Sequence, residues 1–315
     1  MKTHVTEMQR IVCGSTVAFI AMRGTGEHRL FFGGTRIRSY PSEEAARKDA
    51  EDLACAMSRK MAISGLRGGG AKAVLIEPPT DRAGAVKTFG AYVESLGGRF
   101  RTGADYGYTP DDDAVLKSAT QYVSCGGDAA YTSRTVYLSM KALIEPRTVA
   151  IQGLGAAGRP LAEMLKKDGV RVIASDVRDF EGFERAPADS IYDVEADVFA
   201  PCATGGILDA ETVKRLRVRV VCGAANNPFA GDEDAERLHA RGIRYVPDFV
   251  ANSGALIHGA SIILGEQDRI EERIQAVPGL VKKILDRSRA HGLSPHTVAV
   301  TIADDLMLGR KSWLD

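Results

Sequence analysis

A glycine-rich turn between a predicted strand and a predicted helix constrains this sequence more than any other feature. The turn, GLGAAG at residues 153–158, follows the apolar run 148–151 and precedes the helix-like run 161–167, and a second strand-like run, 170–174, comes next. Further strand-like runs continue the alternation, at residues 197–200, 218–221 and 243–246. Strands and helices that alternate at this spacing predict an α/β fold with a doubly wound parallel sheet.

Each glycine of the turn has a defined use in binding a dinucleotide. Gly153 permits the tight turn, Gly155 lets the backbone approach a pyrophosphate, and Gly158 allows the helix to pack closely on the strand. Asp176, which follows the second strand, can bind a ribose diol and repels a 2′-phosphate, so NAD is favoured over NADP, although Arg178 weakens that preference. The competing interpretation is an ordinary glycine turn followed by a solvent-facing aspartate.

The first half of the chain predicts one long helix among the strand-like runs 17–22 and 72–76. Ser42 can cap this helix, and Glu43 and Glu44 lie in its first turn, where carboxylates favour the positive end of the helix dipole. Apolar residues then recur at spacings of three and four, which predicts one buried helix face formed by Ala46, Ala50, Leu53, Ala54, Met57 and Met61.

Composition argues against several classes of protein. The 315 residues suggest about two domains. The 41 Lys plus Arg balance the 41 Asp plus Glu, so no general attraction to nucleic acid or to an anionic membrane is expected. Six histidines without metal-ligand spacing predict no metal site. The five cysteines form no CxxC pair and fit a reducing cytoplasm rather than a disulfide framework; they are Cys13, Cys55, Cys125, Cys202 and Cys222.

The apolar stretch 11–22 is the candidate for a membrane or targeting segment. It is interrupted by Gly14, Ser15 and Thr16 and is too short to span a bilayer. It also lacks the positively charged run before it and the small-residue cleavage site after it that mark a secretory signal peptide. We therefore expect a buried strand here and a cytoplasmic protein.

The segment 60–72, KMAISGLRGGGAK, places two lysines around three consecutive glycines. Such glycines carry a large entropic cost unless the backbone must bend sharply or approach a ligand. An ammonium that is partly desolvated near another ammonium has a lowered pKa, which is how a lysine becomes a base near neutral pH. A phosphate-binding P-loop is disfavoured because Ala73 follows Lys72 where Ser or Thr would be required. A surface turn with two solvated lysines is the plain alternative.

Further motifs accompany this segment along the chain. In order they are FGGTR at 32–36, GADYG at 103–107, PCA at 201–203, GAANN at 223–227 and PDFVANSG at 247–254. Together with the lysine–glycine segment they resemble the Glu/Leu/Phe/Val family of NAD(P)-dependent amino acid dehydrogenases. The resemblance implies a substrate-binding domain over residues 1–140, a Rossmann-type NAD-binding domain over 141–285, and C-terminal helices over 286–315 that return toward the first domain. It also implies a homodimer or larger homo-oligomer.

The resemblance assigns roles to individual residues. Lys72 matches the family's catalytic lysine, Asp105 the aspartate that relays protons beside it, and Lys60 the lysine that grips the substrate α-carboxylate. The other matched positions are Gly33 and Gly34, whose backbone faces the substrate, Thr132 and Asn252, near the nicotinamide and the amino group, and Ala203, Ala225, Asn226 and Asn227, along the cofactor.

The implied reaction is oxidative deamination of an amino acid in a cleft between the two domains. Hydride leaves the α-carbon for the nicotinamide, neutral Lys72 activates a water that attacks the imine, Asp105 moves protons at nitrogen, and ammonia and a 2-oxo acid leave. Ala71, Arg67 and Ser253 depart from the family pattern. Two alternatives are therefore kept: a biosynthetic dehydrogenase for a non-standard or imine substrate, and a catalytically weakened relative that binds NAD or an amino acid.

Substrate preference is predicted from Phe32, which stands where the family's glutamate dehydrogenases carry a lysine for the side-chain carboxylate. Burying an unpaired carboxylate is costly, so an apolar or aromatic amino acid is expected. Val281 and Ile284 are either further walls of the pocket or ordinary core residues. Phe32 would narrow the pocket and Gly103 would widen it, so branched-chain and aromatic substrates both stay open.

Overall fold

The computed structural model describes residues 5–25, 28–78, 80–124 and 127–310. These residues form two compact units. The first unit runs from residue 5 to residue 124 and includes 303–310, and the second runs from 127 to 302.

Within its described residues, the first unit is built on a six-stranded mixed sheet. The sheet begins with an antiparallel hairpin whose two-residue turn is possible because Gly14 adopts a φ of +64°. The strands are β1 (Val5–Cys13), β2 (Thr16–Gly24), β3 (Phe31–Phe32), β4 (Thr35–Arg38), β5 (Gly69–Ile76) and β6 (Phe100–Arg101), and the order is β1-β2-β5-β3-β6, with β4 also paired to β5. The helices are α1 (Glu43–Ile63), α2 (Arg82–Ser95) and α3 (Pro110–Ala119).

Helix α1 packs on one face of this sheet and starts as the sequence predicts. The Ser42 side chain accepts a hydrogen bond from the N–H of Ala45 at 3.1 Å, which satisfies one of the free donors of the first turn. The apolar face of α1 then covers residues that alternate on β2 and β5, since successive side chains of a strand point to opposite faces. This cluster contains Phe19, Ala21, Ala46, Ala50, Ala54 and Val74.

The second unit carries a parallel sheet whose spatial order is β12-β11-β10-β7-β8-β9 over its described residues, as in a doubly wound dinucleotide fold. Its strands are β7 (Thr148–Gln152), β8 (Arg171–Ser175), β9 (Glu184–Arg185), β10 (Val198–Pro201), β11 (Val220–Val221) and β12 (Arg244–Tyr245). Its helices are α4 (Ala129–Lys141), α5 (Gly158–Lys167), α6 (Ala210–Arg215), α7 (Asp232–Ala240), α8 (Asp248–Ala251), α9 (Gly254–Ile263), α10 (Ile270–His291) and α11 (Pro295–Met307).

The structure divides the chain differently from the sequence-based prediction of 1–140, 141–285 and 286–315. Helix α4 belongs to the second unit because it packs against α5, α9 and α10, so the division falls before this helix. Residues 286–302 also belong to the second unit, and only the end of α11 belongs to the first.

Two elements near the chain ends also differ from expectation. Strand β1 was not predicted, and the interruption at Gly14 is the turn of a hairpin. The residue pattern predicts C-terminal helices that begin at Pro278, but helix α10 begins at Ile270 and contains Pro278 in its interior. Cys125 lies outside the described residues. In the part of the chain that the structure describes, no helix is long and apolar enough to cross a membrane.

Candidate active site

The glycine turn between β7 and α5 has the geometry that its sequence predicts. Gly153 has a φ of +95°, which side chains rarely adopt. A methyl group at Gly158 would lie 1.9 Å from the carbonyl oxygen of Gly153, so helix and turn are in direct backbone contact there. At Gly155, apart from the glycine and its two chain neighbours, no atom of the described residues lies within 4 Å of where a methyl group would be. Among the described residues no side chain caps the N-terminus of α5, so no side chain competes with an anion for the N–H groups there.

These contacts make opposite predictions for two similar substitutions. Gly158→Ala is expected to lower stability by about 1–3 kcal/mol, because α5 has to move off the turn. Gly155→Ala is expected to keep the wild-type melting temperature but to weaken NADH binding by about tenfold, because the methyl group occupies space that a pyrophosphate needs. Calorimetry and NADH fluorescence titration check both variants. If Gly158→Ala melts at the same temperature as the wild-type protein, or if Gly155→Ala binds NADH as tightly as the wild-type protein, this description of the turn is wrong.

Asp176 follows β8 and lines a small cavity of about 180 Å³ with Leu154, Arg159, Arg178 and Phe180. Its carboxylate accepts hydrogen bonds from the backbone N–H groups of Leu154 (2.7 Å) and Arg178 (2.9 Å). Burial acts to raise the pKa of Asp176, but these hydrogen bonds and the Arg178 guanidinium outweigh it, so the pKa lies below its usual value. The carboxylate is therefore fixed and ionised.

A second group of predicted cofactor residues lies at the ends of β10 and β11. The Ala203 methyl group lies close to Gly153: a methyl group added at Gly153 would be 2.7 Å from the Cβ of Ala203. Ala225 donates its N–H to the Pro201 carbonyl (2.9 Å), and Asn227 donates its N–H to Asp248 (2.8 Å) while adopting a φ of +46°. These bonds attach the loop 223–227 to the end of β10 and to the first residue of α8.

Asn252 is a buried polar residue of this region whose side-chain oxygen is suited to accept a hydrogen bond from a ligand. It is 3% exposed, and its Nδ2 donates to the carbonyl of Ala224 (3.1 Å) and to Oδ1 of Asn226 (2.9 Å). Its own Oδ1 is buried and has no hydrogen-bond partner among the described residues. Thr132 lies beside it and accepts the N–H of Ala255 at 3.2 Å. Buried acceptors are normally paired, so Asn252 Oδ1 is suited to receive a donor from a ligand.

Lys72 and Asp105, which lie far apart in the sequence, form an ion pair in the first unit. Nζ of Lys72 is 3.0 Å from Oδ1 of Asp105, and the lysine side chain is 7% exposed. Burial lowers the pKa of Lys72 and outweighs the opposing attraction of Asp105. Burial acts to raise the pKa of Asp105, but Lys72 and Arg36 outweigh it and the pKa lies below its usual value. The pair thus combines a readily deprotonated amine with an ionised carboxylate.

Backbone hydrogen bonds hold Asp105 in this position. The N–H of Thr35 on β4 donates to the Gly103 carbonyl (2.8 Å), and the N–H of Ile37 donates to the Tyr106 carbonyl (3.0 Å). The two bonds flank Asp105 and attach its segment to β4. Strand β4 in turn pairs with β5, which carries Lys72.

Gly33 and Gly34 connect β3 to β4, and both are constrained by close neighbours. A methyl group at Gly33 would lie 1.7 Å from the Ala71 carbonyl oxygen, so no side chain fits there. A methyl group at Gly34 would lie 3.1 Å from Cβ of Asp105. Close packing alone therefore accounts for a glycine at position 33, and its predicted contact with substrate stays a prediction.

The remaining predicted substrate residues are found in different settings. Phe32 is buried in β3. Lys60 lies in the last turn of α1 and is partly buried. Val281 and Ile284 are fully buried in α10, which is the burial expected of ordinary core residues.

Arg36 belongs to the FGGTR motif at residues 32–36, but the sequence does not predict it as a site residue. Its Nε donates to Oδ2 of Asp105 at 2.9 Å, and its guanidinium also bonds Asp49 on α1. The alternation along β4, where Thr35 and Ile37 are buried, places Arg36 on the opposite face, but its partners come from distant segments. Sequence alone therefore offered no signal for this contact.

Comparison with known proteins identifies the family. The family model described as Glu/Leu/Phe/Val dehydrogenase, dimerisation domain, matches residues 9–122, and the one described as Glutamate/Leucine/Phenylalanine/Valine dehydrogenase matches residues 175–286. The chain belongs to the Glu/Leu/Phe/Val dehydrogenase family. The resemblance stated from the sequence is thus confirmed, and so is the two-part α/β fold.

Individual members of the family are similar to this chain along most of their length. The leucine dehydrogenase of Bacillus cereus is 33% identical, over 89% of this chain and 84% of that protein. The L-tryptophan dehydrogenase of Nostoc punctiforme is 34% identical, over 87% of this chain and 84% of that protein. A crystal structure of the L-tryptophan dehydrogenase from that organism superposes with a TM-score of 0.82 at 31% identity, covering 96% of both chains. This chain is therefore an oxidoreductase of the amino acid dehydrogenase class.

Proposed function

We propose that the protein catalyses the reversible NAD-dependent oxidative deamination of an apolar or aromatic L-amino acid to the 2-oxo acid and ammonia. The observation that carries the proposal is the ion pair of the buried Lys72 with Asp105, found in a chain of this family. Burial lowers the pKa of Lys72, so its amine gives up a proton more readily than the amine of a solvated lysine and is better suited to act as a base.

Lys72 is the proposed general base. Its neutral Nζ accepts a proton from a water molecule as that water attacks the imine carbon of the oxidised substrate. Asp105, which is ionised at rest, stabilises the ammonium formed on Lys72 and passes its proton to the substrate nitrogen, being protonated only in transit. The neutral amine of Lys72 then takes the proton of the added hydroxyl as the carbonyl forms, the C–N bond breaks and ammonia leaves. Lys60 is proposed to bind the substrate α-carboxylate.

The residues of the second unit fit a dinucleotide. The open space at Gly155, the uncapped N-terminus of α5 and the unpaired Oδ1 of Asn252 are the features that fit it. A nicotinamide bound by these residues would supply the hydride acceptor for the amino acid α-carbon. Asp176 would hold the adenosine ribose, and its ionised carboxylate favours NAD over NADP because it repels a 2′-phosphate.

Phe32 supports an uncharged substrate side chain. It is 5% exposed, and a charged side chain beside it would lose hydration without gaining a partner. The similar proteins named as leucine and L-tryptophan dehydrogenases agree with an apolar substrate. The family model over residues 9–122 is described as a dimerisation domain, which supports a homo-oligomer.

A panel of amino acids tests this proposal. The purified protein is incubated at alkaline pH with each amino acid and with NAD or NADP, and NADH and ammonia are both measured. We expect NADH and ammonia in equal amounts with leucine-like or aromatic substrates, and slower reaction with glutamate and with NADP. NADH formed without ammonia would indicate an imine or cyclic substrate instead, and no turnover with any amino acid would overturn the proposal.

A further inference from the structure

The ion pair of Lys72 and Asp105 is one end of a longer chain of charges in the first unit. Asp105 uses its two oxygens for two cations: Oδ1 lies 3.0 Å from Nζ of Lys72, and Oδ2 accepts Nε of Arg36 at 2.9 Å. The guanidinium of Arg36 then reaches Asp49, whose Oδ2 lies 3.0 Å from a terminal nitrogen. Tyr40 closes the chain by donating its hydroxyl to Asp49 at 2.5 Å.

The elements of the unit place these groups on one side of the sheet. Arg36 is paired with Val74 in the β4–β5 register, and Val74 belongs to the cluster under α1. Lys72 lies two residues before Val74 and so points to the same face. Asp49 comes from α1, which covers that face. The side chains of Arg36 and Asp49 are 20% and 27% exposed, so the contact is only partly screened by water.

The geometry limits what the Asp105 carboxylate can do. A carboxylate held at one oxygen by a guanidinium cannot turn both oxygens toward the lysine, so a single oxygen faces Nζ. Asp49 fixes the guanidinium from the other side, and Tyr40 fixes Asp49. Burial and Asp49 raise the pKa of the Tyr40 hydroxyl, which therefore remains a donor.

We propose that Arg36, anchored by Asp49, is a positioning residue that holds the Asp105 carboxylate in the orientation in which it serves Lys72. The inference rests on the proposed function and adds a residue to it. Arg36 acts through Asp105 and is not assigned contact with substrate. It contributes twice. Its Nε fixes the Asp105 carboxylate while its terminal nitrogen is anchored on Asp49, and its positive charge favours the neutral form of the lysine.

Charge-changing variants separate these contributions. The charged groups that act on Lys72 are Asp105 after β6, Arg36 on β4 and Asp49 on α1. The positive charge of Arg36 lowers the pKa of Lys72, whereas Asp49 raises it. Removing Arg36 should therefore move the acid limb of the kcat–pH profile to higher pH, and removing the Asp49 charge should move it to lower pH. A general folding defect would not shift the limb in opposite directions.

The test measures kcat against pH, with one saturating amino acid, for Arg36→Gln, Arg36→Lys and Asp49→Asn. We expect Arg36→Gln to lose about 10- to 100-fold in kcat and its acid limb to rise by about one pH unit, with KM for NAD unchanged. Arg36→Lys keeps the charge, so its limb should stay in place while kcat recovers in part. Asp49→Asn should lose less kcat than Arg36→Gln, and the acid limb of its kcat–pH profile should move to lower pH.

Arg47→Gln is the matched control, because Arg47 also bonds two carboxylates, Glu44 and Glu51, but on the exposed side of α1. It should keep the wild-type kcat and profile. If Arg36→Gln has the wild-type kcat and the wild-type kcat–pH profile, the inference is overturned. If Arg36→Gln does not fold, the inference is overturned by an Asp49→Asn variant whose acid limb lies at the wild-type pH. If the wild-type protein turns over and Lys72→Met is reduced at least about 100-fold beside such a result, the proposed function stays intact, whereas no turnover by the wild-type protein with any amino acid contradicts the proposed function itself.

Discussion

Replacing Lys72 with methionine is expected to reduce kcat/KM for amino acid oxidation by about 10²–10⁴-fold, the usual contribution of a general base. Methionine preserves the length of the side chain but has no group that accepts a proton. The protein should remain folded, because Asp105 keeps Arg36 as a partner when the ammonium is removed. NADH binding should be unchanged, since the residues proposed to bind NAD lie in the other compact unit. The measurement is steady-state kinetics together with NADH fluorescence titration.

The matched control for this variant is Lys48→Met. Lys48 also pairs with an aspartate, Asp52, at 2.6 Å, but its side chain is 69% exposed on α1. Exposed ion pairs contribute little, so activity and melting temperature should stay at wild-type values. Turnover by Lys72→Met within about tenfold of wild type would show that Lys72 is not the base.

The second large effect is expected from Asp105→Asn. The amide keeps the shape of the side chain but no longer stabilises the ammonium form of Lys72, so kcat should fall by about 10²-fold or more. The negative charge of Asp105 raises the pKa of Lys72, and its loss should move the acid limb of the kcat–pH profile to lower pH. The melting temperature should also fall, because two partly buried cations then share fewer acceptors.

Asp52→Asn removes the same charge from the exposed Lys48–Asp52 pair and should change neither kcat nor the limb. If Asp105→Asn loses stability but keeps the wild-type kcat per folded molecule, the carboxylate is a structural partner of Lys72 and Arg36 only. If the limb moves to higher pH, Asp105 does not act on Lys72 as proposed.

Local geometry made the glycine turn at residues 153–158 predictable. The positive φ of Gly153 and the backbone contact at Gly158 each require glycine, so the motif records the shape of the turn directly. The capping of α1 by Ser42 was predictable for the same reason, because the capping bond joins residues three positions apart. Such features depend on neighbours in the sequence.

The charge chain of the first unit depends on distant neighbours. Asp105 meets Lys72 and Arg36 because its segment is attached to β4, which lies beside β5. The family resemblance supplied the Lys72–Asp105 pair, but nothing local to Arg36 or Asp49 indicates that they meet. The start of α10 was missed for another reason: proline is favoured in the first turn of a helix, whereas Pro278 lies inside this one.

The central claim is that Lys72 supplies a neutral amine at a pH where other lysines are charged. Lysine labelled with ¹³C at the ε-carbon reports this directly, because its NMR shift follows the titration of the amine. The Lys72 signal is the one missing from Lys72→Met. We expect it to titrate clearly below about 10.4, the ordinary value for lysine, while Lys48 titrates at that value or above. A Lys72 signal that titrates together with the exposed lysines would contradict the account.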